Sequence, residues 1–77
     1  MNINFPSPEV SARIDELHAT LSALMERRKS ASDRWLSLPL SPSFSAEYDA
    51  VRAEIDALSA KIAPLMAELR ELWAPYL

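Results

Sequence analysis

The chain has 77 residues, a net charge of −3, and neither cysteine nor glycine. Lacking cysteine, it has no disulfide and no thiolate metal site; lacking glycine, it has no low-cost φ > 0 turn, no phosphate-cradling loop and no tight β-hairpin. A chain this short buries only about 60% of its unfolded surface, and its mild negative charge is of the wrong sign for a general nucleic-acid binder.

Residues 1–6 read as a short extended lead, in which Ile3 and Phe5 either fold back on the first helix or fray with the end. There is no basic leader and no apolar run near the roughly 20 residues of a membrane span, so the expectation is a soluble cytoplasmic protein. Helix one is predicted over 7–38. Ser7 can cap it, Pro8 fits the first turn, and Glu9 sits at the positive end of the dipole. Its apolar positions run Val10, Ile14, Leu17, Leu21, Leu24, Arg28, Ala31, Trp35, Leu38. The steps alternate four and three, which places them on one heptad stripe. Arg28 interrupts that stripe with a charge.

Pro39 ends the helix, because the residue before a proline avoids the α region. Residues 39–43 form the connection. Helix two, over 44–74, carries the longer ladder: Phe44, Tyr48, Val51, Ile55, Leu58, Ile62, Leu65, Leu69, Leu72 and, beyond its end, Tyr76. Pro64 lies inside it without shifting the heptad phase, so a kinked but continuous helix is expected. Pro75 starts the tail, 75–77.

Shifted by 34 residues, the two ladders superimpose. Eight of eighteen pairs are identical between 7–24 and 41–58, including the Ser-Pro start and a Ser-Ala pair that periodicity does not require. A duplicated cap-plus-helix unit explains this, with each copy one helix. The short connection makes the helices antiparallel neighbours. The predicted fold is therefore all-α: an antiparallel two-helix hairpin, pairing into a homodimeric four-helix bundle because two helices cover only one side of each seam.

Three groups of residues are candidates for contact with other molecules. Ala46, Ala50, Ala53, Ala57, Ala60 and Ala67, continued by Ala74, repeat the four-three spacing on the opposite face of helix two. Small residues there would let another helix approach closely, or they fill an exposed helix face. Trp73, Tyr76 and Leu77 form an apolar end, suited to a partner or to closing the bundle over Ile3 and Phe5. Arg27, Arg28, Lys29 and Arg34 are the one basic cluster, read mainly as a solvated face whose Arg28 snorkels out or pairs with Glu54.

His18 is the only histidine and lies beside the seam. Ser22 four residues away is too weak a pattern for a dyad, and no set of carboxylates has metal-ligand or acid–base spacing. No catalytic, metal or cofactor residue is assigned. The expected function is a small non-enzymatic adaptor or inhibitor that binds a larger protein through a helical surface. Regulators encoded by phages and mobile elements, and secretion-type chaperones, share this shape, which is an analogy of fold alone. The alternatives are a structural oligomerisation module and nucleic-acid binding through the Arg27–Arg34 face.

Overall fold

The computed structural model describes residues 5–76. The expectations for Ile3 and Leu77 lie outside them. Two long helices dominate: α1, Pro8–Ser37, and α2, Ser45–Trp73. They lie antiparallel in a hairpin with extents of 64 × 19 × 14 Å, and the described residues contain no strand.

Each helix starts at its Ser-Pro pair, as the internal repeat requires. Ser7 is extended, and its Oγ accepts the Val10 N–H at 3.3 Å. Ser41 is extended too, and its Oγ accepts the Ser43 N–H at 3.4 Å. In both cases the proline occupies the first turn, where a missing N–H costs nothing. The copies then diverge. The second opens with a 3₁₀ turn, Pro42–Phe44, before α2 proper begins. Another 3₁₀ turn, Ala74–Tyr76, follows α2 and takes in Pro75.

The hairpin's turn is tied by side chains. Leu38, held extended by Pro39, cannot continue α1. Its carbonyl accepts the Tyr48 hydroxyl at 2.8 Å, and Trp35 meets the Tyr48 ring edge-on at 4.9 Å. The hydroxyl satisfies a carbonyl beyond the helix end while the ring packs, so one residue does both jobs.

The core is the meeting of the two ladders. Ile14, Leu17, Leu21, Ala31, Val51, Leu58 and Ile62 are buried, and the remaining ladder positions are half-buried. Leu17, 1% exposed, is the one large side chain that is fully buried. A two-helix layer has no third element to cover its flanks, which is why Val10, Leu24, Ile55 and Leu69 on the same stripes keep contact with solvent. α2 runs through Pro64 without a break.

Two expectations are corrected. Phe5 does not fold back: it is 76% exposed and closes nothing. Arg28 does not pair with Glu54. Its guanidinium donates to Ser59 Oγ at 3.4 Å, while Arg34, one and a half turns later, donates to Glu54 at 2.6 Å. The reason is heptad geometry: Arg34 and Glu54 both flank the seam on one side, whereas Arg28 leans toward the other.

Candidate interaction surface

The two flanks of the seam are chemically different. With the ladders as a and d positions, antiparallel helices place g opposite g and e opposite e. The g flank carries Arg13, Thr20, Arg27 and Arg34 on α1, facing Glu47, Glu54, Lys61 and Glu68 on α2. Arg13 grips Glu68 through two hydrogen bonds, Nε to Oε2 at 2.5 Å and Nη2 to Oε1 at 2.8 Å, and also reaches Glu16. Arg34 bonds Glu54. The hydrogen bond from Arg13 holds the Glu68 carboxyl below its ordinary range; desolvation opposes this and charge attraction adds to it. The same bond raises the Arg13 guanidinium further above its ordinary value. These two pairs tie the flank within the chain, while Arg27, Glu47 and Lys61 on it are exposed and enter no ion pair among the described residues.

The e flank is nearly free of charge. It carries Ser11, His18, Met25 and Ser32 on α1, facing Ser45, Arg52, Ser59, Met66 and Trp73 on α2. Two shallow grooves open on it. One, of about 340 Å³, is lined by Ser32, Trp35, Leu36, Arg52 and Ile55 across both helices. The other, of about 530 Å³, is lined by Met66, Leu69, Arg70 and Trp73. Met25 and Met66 are each more than a third exposed between them, and Leu36 is 80% exposed at the rim. Trp73 is half-buried and packs edge-on against Tyr76 at 6.4 Å. Large apolar side chains are thus held half-open along one side of a thin hairpin.

The alanine stripe lies elsewhere. Ala46, Ala50, Ala53, Ala57, Ala60 and Ala67 are all exposed, on the back of α2 facing away from α1. The basic cluster is dispersed: Arg34 and Arg28 are engaged within the hairpin, and Arg27 and Lys29 are exposed. His18 is exposed, and no group of three or more His, Asp or Glu side chains converges among the described residues. Neither described helix is long and apolar enough to cross a membrane.

Sequence reasoning placed Trp73 and Tyr76 at an apolar end but missed Met25, Leu36 and Met66. The signal was present as charged g positions beside nearly uncharged e positions. Its meaning depends on the antiparallel register, which the Arg13–Glu68 and Arg34–Glu54 pairs bracket. Comparison with protein families, curated proteins and solved structures finds no match to this chain.

Proposed function

We propose that this chain is a small non-enzymatic protein-binding module: hairpins pair into a homodimeric four-helix bundle, and the bundle offers its remaining helical surface to a larger protein as an adaptor or inhibitor. One observation carries this reading. The hairpin leaves a flank whose one ionic side chain is Arg52, with Met25, Met66 and Trp73 half-open, beside a core in which Leu17 alone is a fully buried large side chain among the described residues. A surface of this kind serves association and has no enclosed cleft in which substrate could be desolvated. After pairing, the exposed back of α2 is the surface left for the larger protein.

A purely structural oligomerisation module is the second reading, supported by the same flank. Nucleic-acid binding is not favoured. Arg28 and Arg34 are engaged within the hairpin, and the cluster's two remaining cations, Arg27 and Lys29, on a chain of net charge −3 give a weak footprint.

Affinity capture separates the first two readings. The tagged chain is used as bait beside Trp73→Ala and the pair Ala53→Glu, Ala57→Glu. The adaptor reading predicts one defined protein held by the native chain and lost with at least one variant. Recovery of the chain itself and nothing variant-sensitive contradicts it and leaves the structural module.

A further inference from the structure

We infer that the e flank is covered by a second copy of this chain, related by a two-fold axis parallel to the hairpin's length, so that α1 of one copy lies on α2 of the other. The inference rests on the proposed pairing of hairpins and goes beyond it by assigning the face and the orientation.

The first argument is area. The chain exposes 5785 Å². A compact monomer of 8.6 kDa exposes about 4,700 Å². The excess, about 1,100 Å², exceeds the about 800 Å² that each partner contributes to a standard stable interface. The flank itself, roughly 45 Å long and 19 Å wide, has room for an interface of that size.

The second argument is what each face can bury. Covering the g flank would desolvate Arg13, Glu68, Arg34 and Glu54, charges already paired and partly exposed. Pairing through the alanine back of α2 would set four helices in a row and leave both seams half-covered. The e flank carries a single ionic side chain, Arg52, and placed face to face it turns two half-cores into one with the a and d positions inside.

The third argument is charge at the rim. The Arg13–Glu68 and Arg34–Glu54 pairs imply registers one heptad apart, and midway between them Asp15 comes level with Arg70 and Lys29 with Asp56, one step outside the e positions. The proposed axis lays Asp15 over the partner's Arg70, and Lys29 over the partner's Asp56. Among the described residues, Asp15, Lys29 and Arg70 enter no ion pair within their own chain, and Asp56 has only a 4.0 Å contact with Arg52. Opposite charges at a rim set register and orientation more than they add affinity.

The test is absolute mass in solution by light scattering, with helicity followed by circular dichroism. The native chain is expected at twice its monomer mass. Met25→Glu with Met66→Glu is expected to halve that mass, and Ala53→Glu with Ala57→Glu to leave it unchanged. If the methionine pair also loses helicity, thiol protection in this cysteine-free chain replaces it. Met66→Cys should then be alkylated more slowly as protein concentration rises, and Ala60→Cys at a constant rate. Arg70→Glu should weaken the dimer, and adding Asp15→Arg should restore it. A dimer split by the alanine variants but not at the methionines, or equal alkylation of both cysteines, overturns the assigned face while the bundle stands. Failure of Asp15→Arg to rescue overturns the orientation. A native chain that stays monomeric at every concentration overturns the pairing itself.

Discussion

Arg28 is the one charged residue on either ladder, and its environment is poor. It is half-buried, and its partner is a neutral hydroxyl at 3.4 Å rather than a carboxylate. A guanidinium held this way loses hydration without an opposing charge in return. Arg28→Leu should therefore raise the thermal midpoint, and a fall would show that the cation makes a contact worth more than its desolvation. A polar residue on a seam also fixes register, so the same variant should give broader mass distributions in solution. Arg13 and Glu68 behave differently, because their bond is bidentate and lies on the g flank. Glu68 has its carboxyl pKa lowered in the fold, chiefly by the hydrogen bond from Arg13. Its contribution is present above the ordinary carboxylate pKa of 4.5 and is lost as pH falls through the lower folded value. Urea midpoints of the native chain and Glu68→Gln should differ at pH 7, converge in acid, and converge at high salt as well, since the pair is partly exposed. A difference that persists in acid would assign the effect to packing.

At the scale of the elements, the turn and the proline can be tested separately. Tyr48→Phe keeps the ring against Trp35 and removes only the hydrogen bond to the Leu38 carbonyl, so it should cost about 1 kcal/mol in urea unfolding. No loss would mean that water serves that carbonyl equally well. Pro64 is exposed and sits inside an unbroken helix, so Pro64→Ala restores a donor and relieves a clash. It should stabilise by up to about 3 kcal/mol, and destabilisation would show that the proline shapes α2 to fit its neighbour. Both ladders were legible in the sequence because heptad spacing is a property of one helix: each position named on them is buried or half-buried. The Ser-Pro starts were legible for the same local reason. The pairing of Arg34 with Glu54 in place of Arg28 was not, and the choice between folding back and fraying stayed open for Phe5, because each depends on how the helices lie against one another. The e flank falls between these cases. Its residues can be read off, but that Ser32 and Arg52 share one groove follows only from the antiparallel register.

For the whole molecule, the account is that folding is incomplete without association. A hairpin 14 Å thick, with most of its seam residues only partly covered, lacks a second layer. On the proposed pairing, a second copy on the e flank would supply that layer and leave the charged flank and the alanine back in water. Stability must then depend on protein concentration, because the dimer is favoured by mass action and the unfolded chain is not. The direct measurement is the thermal midpoint, followed by circular dichroism over a roughly hundredfold range of chain concentration. The account predicts a midpoint that climbs steadily with concentration, and a climb that disappears together with the dimer in Met25→Glu, Met66→Glu. A native midpoint that does not move with concentration, in a chain that unfolds cooperatively as a monomer, would contradict it.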